Sequence, residues 1–255
     1  MITNLHTHTP RCRHAKGTER EYVEVAIEAG VRKLGFSDHT PYFFPGDYYS
    51  RFRMYPEQLD DYARSVLACR DAYADRIEIH LGLEAEYYPA FFPELMARLK
   101  DSPVEYLLLG QHYIGNEIGD QYSGWATGDK DHLIRYCNQV ADAMYTGIFT
   151  YLAHPDLIRF TGDARLYREH ARTVCRAAKD CDVPLEVNLL GLREDRHYPN
   201  IEFWRVAAEE NCPVVLGCDA HAPREMNHAR WEKQAMEMVR QLGLQRIEDP
   251  IIRKI

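Results

Sequence analysis

The sequence predicts a parallel α/β barrel of seven strand-helix units, and three observations carry that prediction. Short apolar strands and amphipathic helices alternate along the chain, and no linker interrupts the series. The strands read as continuous apolar runs, the pattern of a parallel sheet covered on both faces. Histidines and carboxylates recur just past those runs, where barrels of this kind build their active sites. A chain of 255 residues with 45% hydrophobic content suits one such domain spanning 1–255.

Each element has a local reason. Ile2 to Leu5 is the first strand. Thr18-Glu19-Arg20-Glu21 then opens a helix as a capping box, and Gly30 ends it where a left-handed cap is tolerated. Val31 to Phe36 is the second strand, followed by a loop rich in Pro, Gly and Tyr (Pro41 to Tyr55) and a helix from near Pro56. Strand Ile77 to Leu83, helix Phe91 to Lys100, strand Val104 to Leu109, helix Lys130 to Thr146 and strand Ile148 to Leu152 continue the alternation. Helix Ala164 to Cys181, strand Pro184 to Leu189, helix Ile201 to Asn211, strand Pro213 to Leu216 and a helix over about Met226 to Leu242 complete it.

Composition narrows the function. With 31 basic and 39 acidic residues the net charge is −8, which argues against a general nucleic-acid-binding surface. No run of about 18 apolar residues exists, so no membrane span is expected. MITNLHTHTPRCRH lacks a hydrophobic signal core, and a soluble, cytoplasmic protein is the expectation. Seven scattered cysteines without a CxxC pair read as reduced and mostly buried. Neither GxGxxG nor a P-loop is present, which disfavours a doubly wound nucleotide-binding sheet.

The strand ends read HTH, SDHT, GLEAE, GQHY, AHPD, NLLGLR and CDAH, and six of the seven carry a possible metal ligand. His6 and His8 share a face, because strand side chains alternate, and can grip one ion. Asp38 could orient a neighbouring ring as a hydrogen-bond acceptor. Glu84 could bridge two ions through its two oxygens, and Glu86, of the same parity, competes for that role. His39, His112, His154, Asp219 and His221 follow at later strand ends, while His14 lies in the loop PRCRH.

In order and type, these segments resemble the PHP superfamily, named for its polymerase and histidinol-phosphatase members, over essentially the whole chain. The spacing of His6, His8 and His14 and the late Gly191-Leu192-Arg193 are similar to the histidinol-phosphate phosphatase branch. That resemblance implies a distorted TIM-like (β/α)7 barrel holding two or three divalent metal ions. His6, His8, Glu84 and Asp219 would bind one, Glu84, His112 and His154 a second, and His14, His39 and His221 a third. Imidazole and carboxylate ligands suit Zn, Fe or Mn better than Mg or Ca. The implied reaction is hydrolysis of L-histidinol phosphate to L-histidinol and phosphate, by attack of a metal-bridging hydroxide.

Substrate contacts are assigned from position on the same rim. Arg159 and Arg193 could hold phosphate oxygens, strand six being free of an obvious metal ligand. His197 could protonate the leaving alkoxide, which makes it, with Asp219, a candidate catalytic residue. Tyr42, Phe43, Phe44, Tyr48 and Tyr49 form an aromatic loop that either walls the substrate or covers the rim. The partner is then a small phosphomonoester, with neither nucleic acid nor membrane involved. Three other readings compete: a PHP phosphoesterase acting on a nucleotide, oligonucleotide end or other small phosphomonoester; an amidohydrolase, for which no strand-end lysine is present; and a metal-binding module without turnover.

Overall fold

The computed structural model describes residues 1–119 and 121–255. Its elements run β1 (Thr3–Asn4), α1 (Glu19–Glu28), β2 (Lys33–His39), α2 (Leu59–Ala72), β3 (Glu78–Ala85), α3 (Phe92–Leu99), β4 (Tyr106–Leu109) and α4 (Lys130–Tyr145). They continue as β5 (Phe149–Leu152), α5 (Ala164–Asp180), β6 (Leu185–Asn188), α6 (Leu189–Arg193), α7 (Ile201–Glu209), β7 (Pro213–Gly217), α8 (Ala229–Leu242) and β8 (Gln245–Arg246). All strands are parallel and pair in chain order, as the alternation of strand and helix requires. Thr18 and Glu21 form the expected reciprocal cap on α1.

Two features depart from the expected seven units. An eighth strand, β8, pairs with the start of β7, and a five-residue helix, α6, occupies the segment expected to be a loop after strand six. The first is too short and polar to stand out as a strand. The second forms because the Asn188 side chain accepts from the amides of Leu190 and Gly191, capping a turn directly at the strand end.

The sheet curls so that its ends meet. Beyond β1 and β7, Thr7 bridges Ala220, and His8 N donates to Ala220 O at 2.9 Å. A register shift between β4 and β5 and a single paired position between β5 and β6 make the barrel irregular. Its lower interior is apolar: Leu5, Tyr106, Leu108, Tyr151, Ala153 and Val215 pack together, with Ile247 and Ile252 against them. Alternate residues of the same strands, including Leu107, Leu109, Leu152 and Leu216, instead join the main core. Tyr106 spans this interior, its hydroxyl donating to Leu5 O at 2.8 Å, and only glycine fits beneath its ring at Gly82, where a Cβ would lie 2.3 Å away. The tail then closes the floor: Lys254 bridges Tyr106, and Arg253 N donates to Thr150 Oγ1 at 3.1 Å. With the floor sealed by apolar side chains, polar groups gather at the opposite, carboxyl ends of the strands.

Candidate metal centre

Glu84, near the end of β3, stands at the middle of that polar layer. Its Oε2 lies 3.5 Å from His6 Nε2, 3.6 Å from His8 Nε2 and 3.0 Å from His39 Nδ1. Its Oε1 lies 2.8 Å from His154 Nε2 and 3.6 Å from His112 Nε2. Asp219 faces it from the end of β7, with Oδ1 3.1 Å from His8 Nε2, 3.6 Å from His6 Nε2 and 3.4 Å from His221 Nδ1. Eight residues expected from the strand ends and His14 from its loop are thereby brought into one cluster, since His14 stacks 4.6 Å from His221 and 5.3 Å from His39.

The backbone is bent to make this possible. His154 and Asp219 adopt positive φ angles of 29° and 46°, which turn each side chain inward where a strand ends. Glu86 takes the lesser of the two roles open to it. It accepts from His112 Nδ1 at 2.9 Å and pairs with the buried Arg53, leaving Glu84 alone at the centre.

The rings are held from behind. His6 Nδ1 meets Glu186 Oε1 at 2.8 Å, His112 Nδ1 meets Glu86, His14 Nδ1 meets Cys12 O at 2.8 Å and His221 Nδ1 meets Asp219 O at 3.2 Å. His8 Nδ1 lies 3.4 Å from Asp38, so Asp38 orients this ring, while the amide of His39 also donates to it. Each contact to an oxygen places the proton on Nδ1 and leaves Nε2 a free lone pair turned inward, the arrangement metal-ligating histidines adopt. Among the described residues, His6 Nε2, His8 Nε2, His221 Nε2 and Glu84 Oε2 are buried without a hydrogen-bond partner. Lone pairs and anionic oxygens that converge in a dry interior call for cations, so the donor set fits divalent ions.

Two compact triads mark where ions would sit: His6, His8 and Asp219, and His14, His39 and His221, each with ligand atoms within 4.8 Å of one another. Glu84 forms further triads with His6 and His154 and with His8 and His39, so its carboxylate would be shared between neighbouring ions. Cys12 also approaches His8 and His221, but burial and then Asp38 push its thiol far up, so it keeps its proton and is a poor ligand.

Electrostatics hold the carboxylates ionised and divide the rings. Burial alone would raise Glu84 and Asp219, yet His112, His6 and His39 hold the first, and His6, His8 and His221 the second, well below the usual carboxylate range. Burial, followed by neighbouring rings, lowers His14, His39 and His221, which keeps those imidazoles neutral. His6, His8 and His112 are driven the other way: burial opposes it, but Glu186, Asp219 and Glu84 raise His6 well above 6.5, Asp219 and Asp38 raise His8 to about 9, and Glu84 and Glu86 raise His112. A proton there answers the same negative field that a cation would.

Above the cluster opens a cavity of about 440 Å³. Its floor is Glu84, His112, His154, Asp219 and His221, and its wall is Phe52, Tyr113, Tyr122, Trp125 and Tyr198. The aromatic loop residues Tyr42, Phe43, Phe44, Tyr48 and Tyr49 line a separate cleft instead, with Tyr42 wholly buried.

The substrate contacts expected from sequence need correction. Arg193 is turned away by α6 and clamps the Cys218 and Asp219 carbonyls, each at 3.3 Å, and Glu225 at 3.1 Å. Neither His197, whose Nε2 meets Leu157 O at 2.8 Å, nor Arg159 lines the cavity. Arg196 lines it in their place, held by Glu194 Oε2 at 2.6 and 2.9 Å and donating to Tyr198 OH at 3.0 Å.

Strand six also holds more than expected. Glu186 accepts from His6, from His154 N at 3.1 Å and from Asn188 Nδ2 at 2.9 Å. Asn188 Nδ2 in turn donates to Asp219 Oδ2 at 3.0 Å. The signal was available: a carboxylate and an amide two residues apart in an otherwise apolar strand share the inward face.

Fold and site together define a class, a barrel protein whose strand ends carry a multi-histidine, carboxylate-bridged centre of the kind used in metal-assisted hydrolysis. The chain belongs to the PHP domain family, which it matches over residues 4–189. It is 34% identical over 236 residues to the "Probable histidinol-phosphatase" of Deinococcus radiodurans, covering 88% of each chain. The hisK protein of Listeria monocytogenes shares the fold with a TM-score of 0.75 at 19% identity, over 89% of this chain and 99% of that one. Histidinol phosphate phosphatase from Lactococcus lactis, solved with zinc, L-histidinol and phosphate, shares it with a TM-score of 0.72 at 19% identity, over 96% and 95% of the two chains.

Proposed function

We propose that this protein is a metal-dependent phosphoesterase that hydrolyses L-histidinol phosphate to L-histidinol and inorganic phosphate, as a single cytoplasmic domain over residues 1–255. The observation that carries the reading is that His6, His8 and His112 are held from behind through Nδ1 by carboxylates, with Nε2 turned towards Glu84 or Asp219. His6, His8, Glu84 and Asp219 would hold one ion, Glu84, His112 and His154 a second, and His14, His39 and His221 a third. Bound Zn, Fe or Mn would supply a nucleophile at neutral pH and stabilise charge on the phosphoryl oxygens.

The chain's own groups do the rest. Arg196 is placed to pair with the phosphate, and its tether to Glu194 and Tyr198 fixes the guanidinium before substrate arrives. Asp219 lines the cavity as an anion and is positioned to take a proton as well as to ligate. Phe52, Tyr113, Tyr122 and Trp125 offer flat apolar faces to an imidazole-bearing alcohol and exclude water. The Deinococcus relative's name supports the substrate, the size of the cavity favours a small molecule, and seven free thiols agree with a reducing compartment. Among the described residues no helix is long and apolar enough to cross a membrane.

The test is a screen of the purified, metal-analysed protein against L-histidinol phosphate, nucleotides and an aryl phosphate. Histidinol phosphate is expected to lead in kcat/KM. Preference for another ester by tenfold or more, about 1.4 kcal/mol in transition-state binding, would overturn the substrate while leaving the reaction class.

A further inference from the structure

Arg53 does not line the cavity and is wholly buried. A guanidinium taken out of water costs several kcal/mol unless its donors are met, and here all five are. Nη1 donates to Thr40 O at 2.9 Å and Glu86 Oε2 at 3.1 Å; Nη2 donates to Glu86 Oε1 at 3.0 Å and Glu117 Oε2 at 2.6 Å; Nε donates to Glu117 Oε2 at 3.0 Å.

Three stretches of chain meet at this one group. Glu86, just past β3, takes the His112 Nδ1 proton and so decides which nitrogen His112 presents to Glu84. Glu117 belongs to the excursion that carries Tyr113, Tyr122 and Trp125, and its other oxygen accepts from Tyr48 OH at 2.8 Å. Arg53 itself follows Phe52, whose ring lies 4.4 Å from its guanidinium, 5.1 Å from His39 and 5.8 Å from His112.

We propose that Arg53 is a positioning residue that couples assembly of the cavity's aromatic wall to the orientation of His112, through Glu117 on one side and Glu86 on the other. The inference rests on His112 being a ligand of the proposed centre. The planar fork meets Glu86, Glu117 and Thr40 O with five donors on three nitrogens; a lysine ammonium has three donors at one point and cannot make all five bonds.

The two arms make distinct predictions. Glu86→Gln weakens metal retention by roughly 10- to 100-fold and lowers kcat, and through its lost pairing with Arg53 also raises KM, though less. Glu117→Gln raises KM severalfold, and through its lost pairing with Arg53 also weakens metal retention, though less. Arg53→Lys does both. Metal per chain is measured by mass spectrometry after dialysis of the full protein against graded chelator, beside kcat, KM and near-ultraviolet circular dichroism, with His112→Ala as reference.

A folded Arg53→Lys that keeps wild-type metal retention, or that changes KM alone, overturns the coupling. Should Arg53→Lys fail to fold, the other two variants decide: the proposal stands if each moves both metal retention and KM, and falls if either leaves the quantity of the opposite arm at its wild-type value. If His112→Ala retains every ion, the reading of His112 as a ligand fails instead, which is a different outcome from failure of the coupling.

Discussion

Glu186→Gln tests the arrangement behind the metal centre. Three donors converge on this buried carboxylate: His6 Nδ1 at 2.8 Å and, on the other oxygen, His154 N at 3.1 Å and Asn188 Nδ2 at 2.9 Å. An amide accepts on one oxygen only. If its NH2 faces His154 N and Asn188, two donor-donor conflicts arise; if it faces His6, that ring must move its proton to Nε2 and loses the lone pair a metal needs. Nothing nearby can give way easily, since even a methyl on Gly217 would stand 1.7 Å from Glu186 Oε1. A hydrogen bond to a charged group is worth about 1.5–3 kcal/mol. At about 1.4 kcal/mol per decade this is roughly 10- to 100-fold in affinity for the ion held by His6, the range found for outer carboxylates of metal sites. The assay is metal per chain after dialysis against buffered chelator, with kcat/KM measured on the same samples. A folded variant with the wild-type chelator midpoint would refute the claim that Glu186 sets the His6 tautomer.

Other perturbations probe separate parts. Arg196→Met should raise KM for the phosphoester about tenfold, its partly exposed guanidinium being worth less than a buried one, with Arg196→Lys between; an unchanged KM would remove Arg196 from phosphate binding. Removing metal should lower Tm by about 8–16 °C, because ligand at a thousand times Kd contributes about 4 kcal/mol and each kcal/mol moves Tm by about 2–4 °C at this size; an unshifted calorimetric Tm would contradict the fit of ions to the cluster. Gly82→Ala, which sets a Cβ 2.3 Å from the Tyr106 ring, should cost about 1–3 kcal/mol in urea unfolding, partly restored by Tyr106→Leu. His228 is kept below its ordinary 6.5 by burial, so it stays neutral in the folded protein where the unfolded chain takes a proton; stability from this group is present above about pH 6.5 and lost as pH falls below it. His228→Asn should flatten that acid arm between pH 7 and 5, and an identical slope in both proteins would disprove the assignment.

Strand order and the parallel sheet were legible from the alternation of strand and helix, and the inward face of each strand end from its period of two: His6 with His8, Glu84 with Glu86 and Glu186 with Asn188 share a face whatever the details. What that period leaves open is height along the barrel. Glu84 and Glu86 share a face, yet one bridges the cluster and the other steadies His112, because Arg53 arrives from a distant loop to neutralise the upper carboxylate. Glu186 escaped notice as a partner for the opposite reason: its position is a strand interior, and only the meeting of β6 with β1 residues across the barrel gives it His6 to hold. Loop residues were read least well. Arg193 and Arg196 lie three apart in one segment, and the capped turn of α6 sends the first beneath Asp219 and leaves the second facing the cavity. Ligand identity was thus written in local sequence, whereas the groups that orient the ligands and meet the substrate come from contacts between stretches far apart in the chain. Substitutions outside the HTH and DAH segments should therefore separate metal retention from substrate binding more cleanly than substitutions of the ligands themselves, which remove both.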